Sequence, residues 1–271
     1  MAVRKTRFRR RHYPISAFWE ADLLPLEMKQ WYKQDLAFIH DIGHSGFALK
    51  SAPGILEILR RSKIREGLVV DLGCGSGLWA KELRKAYYRV LGVDISDAMI
   101  KIAQRKVPDA EFRVGSLFKF DIPMCNAVTS IGECLNYLFD SDNNNETLAQ
   151  LFHRIYNALA CGGVFIFDIL EPGQITTGTK ARWFSEGEGW VVTVEKEEDR
   201  EQSILTRRIT SFRRVGRYYR RAEEVHRQRL YKATDIAREL RKVGFRVRTT
   251  RSYGEYHLPK AHVAFIARKP I

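Results

Sequence analysis

The sequence predicts an α/β fold: a seven-stranded, mostly parallel sheet with crossover helices, preceded by helices and interrupted by an inserted antiparallel sheet. Three observations predict it. From Leu68 to Leu170 short apolar runs alternate with segments of helical periodicity, the pattern of strands joined by crossover helices. After Leu170-Glu-Pro-Gly173 the rhythm gives way to long extended stretches divided by turns. A helix and two strands then restore the first pattern.

From Trp19 to Arg61 apolar residues recur at helical spacing (Leu36, Ile39; Ile55, Leu56, Ile58, Leu59), with Gly43, Gly46 and Pro53-Gly54 as breaks, which predicts two or three helices. Strands are expected at Leu68 to Leu72, Arg89 to Val93, Glu111 to Val114, Ala127 to Ser130 and Val164 to Ile169. Helices fill the gaps at Gly77 to Ala86, Ser96 to Val107 and Asn143 to Leu159, with Ser96 as an N-cap and Gly162-Gly163 as the stop of the last. Three antiparallel strands follow, about Trp190 to Glu198, Ser203 to Arg214 and Arg217 to Tyr231, with turns at Asp199 to Gln202 and Val215-Gly216. A helix from Thr234 to Val243 ends at Gly244, and strands at Phe245 to Thr250 and Ala261 to Arg268 close the sheet. The expected organisation is a basic tail and helical lid (1–60), an α/β domain (61–172 with 231–271) and an inserted β-subdomain (173–230).

With 45% hydrophobic and 29% charged residues the chain has the composition of a folded globular protein. No apolar run approaches the roughly 20 residues of a spanning helix, and no apolar segment follows the basic start, so a soluble, cytoplasmic location is expected. The cysteines at 74, 125, 134 and 161 lack metal-ligand spacing and read as free, mostly buried thiols; no metal is expected. Net charge is +14, six of it from the Arg and Lys of the first eleven residues, which suits either a solvated surface or an attraction to phosphates.

The segment Val69-Val-Asp-Leu-Gly-Cys-Gly-Ser-Gly77 carries the most specific chemistry. A strand running into Gly73, Gly75 and Gly77 lets the backbone turn sharply beside a ligand, with amides of the next helix close by. The third glycine comes one place too early for the dinucleotide fingerprint, and Asp71 stands where a pyrophosphate would be repelled and an ammonium welcomed. Asp94, 17 residues after Gly77 at the end of the second strand, is placed to accept from two ribose hydroxyls.

On these residues the chain resembles the class I S-adenosylmethionine (SAM)-dependent methyltransferases, with their Rossmann-like fold, over Leu68 to Leu170. The resemblance implies SAM as methyl donor. Asp71, Gly73, Gly75, Ser76 and Gly77 would line its methionine moiety, Asp94 its ribose, and Ile95, Met99, Ser116 and Leu117 its adenine, although a carboxylate often stands where this chain has Ser116. Ser130, Ile131 and Gly132 would wall the methyl group. Glu133, Asn136 and Tyr137 would face the acceptor or cap the loop they occupy.

In placement the inserted sheet is similar to that of glycine and sugar-amine N-methyltransferases, where it roofs a small acceptor or forms a dimer contact. Arg220, Glu224, His226 and Gln228 share one face of a strand there, which either covers the site or meets solvent. Tyr32, Phe38, His40 and Phe47 fit helix-core contacts, and His257 reads as a structural or exposed loop residue. Nucleobase signatures are absent after the fourth strand. The expected function is N- or O-methylation of a small molecule; the alternatives are an RNA or protein methyltransferase using the basic surface, and a non-catalytic SAM-fold binder.

Overall fold

A computed structural model describes residues 31–140 and 143–271. The basic tail, Trp19 and the rest of the segment before Trp31 lie outside the described residues. In order, the chain forms α1 (Gln34–Gly43), α2 (Gly46–Arg61), β1 (Leu68–Leu72), α3 (Leu78–Lys85), β2 (Arg89–Asp94), α4 (Asp97–Lys106), β3 (Glu111–Val114) and β4 (Cys125–Ser130). A 3₁₀ turn (Cys134–Asn136) leads to α5 (Asn145–Ala158) and β5 (Leu159–Leu170). Then come β6 (Lys180–Gly187), β7 (Trp190–Asp199), β8 (Ile204–Val215), β9 (Tyr218–Arg229), α6 (Ala233–Val243), β10 (Arg246–Thr250), the short β11 (Ser252–Tyr253) and β12 (Tyr256–His257), and β13 (His262–Arg268).

The expected seven-stranded sheet has the order β10-β13-β5-β4-β1-β2-β3, with β13 antiparallel to both of its neighbours. Its inner strands bury both faces, so side chains there alternate between two cores. Phe165, Phe167 and Ile169 of β5 and Phe265 of β13 join α5 and α6 on one side; Val164, Ile166 and Ile266 join Ile55, Leu59, Trp79 and Leu83 of α2 and α3 on the other. Phe167 stacks on Phe165 and Phe265 at 4.3 and 4.8 Å between ring centroids. Ser96 Oγ caps α4 by accepting from Met99 N (3.2 Å), and Asn144 with Thr147 forms a capping box on α5.

Three local expectations are corrected. Pro53-Gly54 does not break the helix: both lie inside α2. Gly54 is there because the β11–β12 hairpin presses on it; a Cβ at this position would stand 2.2 Å from the Tyr253 carbonyl carbon. Gly162-Gly163 does not end α5, which stops at Ala158; Leu159 turns extended at once, and the glycines lie within β5, whose pairing with β4 shifts register between Cys125 and Ala127. The antiparallel sheet has four strands, β6-β7-β8-β9, where three were expected. Edge strand β6, mostly exposed, has no apolar alternation to announce it.

The second sheet is tied to the N-terminal helices. Leu36 and Ile39 of α1 pack with Trp190, Val192 and Val194 of β7 and Ile209 of β8 in a third core. Asp35 of α1 accepts from Arg213 (3.2 Å) and from Arg220. Among the described residues no helix is long and apolar enough to cross a membrane.

Candidate functional site

A cavity of about 630 Å³ lies between the C-terminal ends of β1, β2 and β4, the helices α1 and α2, and the inner face of the antiparallel sheet. Open α/β sheets bind ligands at this end of their strands. The floor is the glycine turn. Gly73, Gly75 and Gly77 all adopt left-handed backbone (φ +79°, +53° and +76°), which L side chains rarely take. At Gly73 a Cβ would strike Cys134 Sγ at 2.5 Å, whereas Gly75 faces open space along the cavity wall.

Asp94 lines the cavity, and its two carboxylate oxygens accept from Gly75 N (2.9 Å) and Ser96 N (2.8 Å). Burial raises its pKa against these two amides, which favour the charged form. With two acceptor positions used, the carboxylate retains lone pairs for a diol. Ile95, Met99, Ser116 and Leu117 line the same end, and Ile131 and Gly132 the middle. Ser116 Oγ donates to Asp140, a carboxylate from the loop after β4 that also lines the cavity. A carboxylate is thus present beside Ser116, supplied by another segment.

Four residues expected to line the donor or the acceptor are set back. Asp71, 2% exposed, is turned down between strands, where Thr129 Oγ1 donates to it (2.7 Å) and burial pushes its pKa up to about 7. Ser76 and Gly77 open α3 behind the turn; Gly77 fits against Ala103, and the buried Ser76 Oγ has no partner. Ser130 Oγ donates to Leu72 O (2.8 Å), a strand-to-strand tie.

Facing the floor is a buried polar network centred on Glu133, whose backbone is left-handed (φ +56°). Its Oε1 accepts from Arg207 Nη2 of β8 (2.5 Å) and its Oε2 from His262 Nε2 of β13 (2.8 Å). Arg207 Nη1 also donates to Tyr137 Oη (3.2 Å), which is 3.1 Å from Tyr32 Oη. Burial alone would raise Glu133, but Arg207 and His262 outweigh it and hold the carboxyl well below its usual range. His262 in turn is raised: burial opposes its charge, and the bond to Glu133 prevails. Asp168 of β5 anchors the loop from beneath, accepting from Gly132 N (3.0 Å), Glu133 N (2.7 Å) and Tyr253 Oη (3.1 Å).

Of the candidate acceptor contacts, Glu133 and Tyr137 line the cavity and Asn136 and His226 do not. Asn136 is fully buried and clamps backbone: Nδ2 donates to Leu170 O (3.1 Å) and Arg229 O (2.6 Å), and Oδ1 accepts from Leu170 N (3.0 Å). His226 is enclosed by the rings of Trp31, Tyr32, Tyr137 and Phe139 and bonds Glu224 (2.8 Å). The face of β9 bearing Glu224, His226 and Gln228 is buried, while Arg220 is exposed. Glu224 accepts from the amides of Tyr32 (2.8 Å) and Lys33 (2.9 Å), so this strand holds the N-terminal segment in place. Tyr32, His40 and Phe47 reach the cavity rather than serving only as core. Burial lowers the His40 pKa to about 4, leaving an uncharged imidazole in the wall. His257 is exposed, as expected.

Sequence reasoning missed Arg207, His262, Asp168 and Asp140 as site residues. One signal was available for Asp168: a lone carboxylate inside the apolar run Val164-Phe-Ile-Phe-Asp-Ile-Leu170.

Residues 69–163 match the family described as a methyltransferase domain. A dTDP-4-amino-2,3,4,6-tetradeoxy-D-glucose N,N-dimethyltransferase of Saccharopolyspora spinosa is 28% identical over 145 residues, 52% of this chain and 57% of that protein. The match thus spans little more than half the length of that relative. A dTDP-3-amino-3,6-dideoxy-alpha-D-glucopyranose N,N-dimethyltransferase of Streptomyces fradiae is 25% identical over 63% of this chain and 67% of its own. A sugar N-methyltransferase from Streptoalloteichus superposes with a TM-score of 0.72 at 19% identity, covering 100% of this chain and 99% of that one, which is a likeness of fold.

Proposed function

We propose that the protein is a SAM-dependent methyltransferase that methylates an amino group of a small polar acceptor, with amino sugars as the leading class; the match of residues 69–163 to a methyltransferase domain supports this reading. The observation that carries this reading is the single cavity shared by the glycine turn and the Glu133–Arg207–Tyr137 network. Its volume of about 630 Å³ is that of a small-molecule pocket. The two sugar-amine relatives favour nitrogen over oxygen as the acceptor atom.

SAM, when bound, would supply an activated methyl carbon for an acceptor nitrogen, with S-adenosylhomocysteine as the leaving group. The protein's work is to position and to exclude water. Gly73 and Gly75 would let backbone approach the donor, and Asp94 would hold its ribose. Glu133, fixed by Arg207 and His262, presents a polar edge suited to a polyhydroxylated acceptor, and Tyr137 and Tyr32 add hydroxyls. His40 offers an uncharged wall suited to the neutral amine, the form that has a lone pair to attack.

The test is to incubate the protein with SAM and a panel of nucleotide-linked amino sugars, small amines and hydroxyl acceptors, and to measure S-adenosylhomocysteine by mass spectrometry. Turnover with an amino sugar is expected. Turnover with RNA or protein substrates and with none of the small amines contradicts the proposal.

A further inference from the structure

A second concavity, of about 520 Å³, lies along the C-terminal half of α2 and shares no lining residue with the cavity above. Its rim carries four guanidinium groups: Arg61 at the end of α2, Arg246 and Arg248 on edge strand β10, and Arg268 on β13. Arg246 and Arg248, two apart on one strand, point to the same face, and Arg246 pairs in register directly across from Arg268. Like charges directly opposite in a sheet destabilise it, and neither Arg246 nor Arg248 has an acidic partner among the described residues. The one carboxylate in the lining, Glu57, is already engaged by Arg60 and Arg61.

Charge on an edge strand discourages sheets from joining, but that purpose asks for charges along the edge. These converge across two strands and a helix onto a floor of Gly54, Ile58 and Ile266, with Ser62, Thr250 and Ser252 at the margin. Guanidinium forks with neighbouring hydroxyls match the oxygens of phosphate. No aromatic ring lines the groove, so it offers no platform for stacking bases.

We infer that this groove binds a chain of phosphate groups, either a free polyphosphate compound or a nucleic-acid backbone, through Arg246, Arg248 and Arg268, independently of the methyl-transfer site.

The test compares the full chain with the double variant Arg246→Gln/Arg248→Gln, titrating tripolyphosphate by calorimetry and a labelled single-stranded RNA by anisotropy over a salt series. Both side chains are exposed; a melting temperature no lower than that of the wild type verifies folding, and the single variant Arg248→Gln serves if the double one melts early. The wild type is expected to bind at least one of the two probes, and the double variant to bind it about tenfold or more weakly. For RNA, the log–log salt slope is expected to fall by about 1.4 for two lost contacts. Binding of tripolyphosphate alone identifies a small phosphate compound as the source, and binding of RNA alone identifies a backbone. The inference is overturned if the wild type binds neither probe at low salt, or if the variants bind as the wild type does.

Discussion

The floor of the cavity takes its groups from one stretch of chain, Gly73 to Leu117, along β1, β2 and β3 and the loops that follow them. The opposite wall joins Glu133 to Arg207 and to His262, partners 74 and 129 residues away. The floor's geometry follows from local backbone, three left-handed glycines and a strand-end carboxylate. The wall exists only once the inserted sheet, β13 and the loop after β4 have docked. The glycine-turn half of the cavity is therefore fixed by short-range rules, and the opposite half depends on how the insertion docks.

Gly73→Ala attacks the floor most severely, forcing a Cβ onto Cys134 at a backbone angle that favours glycine. Thermal or urea unfolding is expected to show a loss of about 2–5 kcal/mol, with SAM binding abolished; wild-type stability would mean that the turn is not held as described. Asn136→Ala strikes the wall's support. It removes three buried bonds to Leu170 and Arg229 and is expected to cost about 2–4 kcal/mol in the same assay, while the folded protein still binds SAM.

The Glu133–His262 pair gives a pH signature. His262 lies above its ordinary value of 6.5, so its contribution is complete below that pH and is lost as pH rises through the folded pKa. Glu133, held below its ordinary 4.5, contributes above that pH and loses its contribution as pH falls through its folded pKa. Melting temperatures of the wild type should therefore decline above about pH 6.5 by a step that His262→Gln lacks; identical profiles would break the coupling. Smallest is Trp183→Ala, on the outer part of the wall, expected to raise the acceptor KM a few-fold and leave SAM affinity unchanged. A weakened SAM affinity there would blur the division between floor and wall.

That division also marks what the sequence made legible. The parallel strands announced themselves because β-branched and aromatic runs buried on both faces have few alternatives, and Ser96 and Gly244 punctuate helices by local chemistry. Strand β6 stayed hidden because Lys180 to Gly187 is largely exposed and lacks alternation. Arg207 is one arginine among many in the insertion, and its role depends on the register that sets it beside Glu133. His226 has the right chemistry for a site but is walled off by four aromatic rings, and Asn136, named as an acceptor contact, clamps backbone. No spacing in the sequence distinguishes a polar residue that faces a cavity from one that ties strands together.

The account rests on the floor holding SAM through Asp94. Calorimetric titration of SAM into wild type and Asp94→Ala tests this most directly. Binding by the wild type and a loss of about 1.5–3 kcal/mol in the variant is the predicted result; no heat from the wild type, or equal affinity in both, would contradict it.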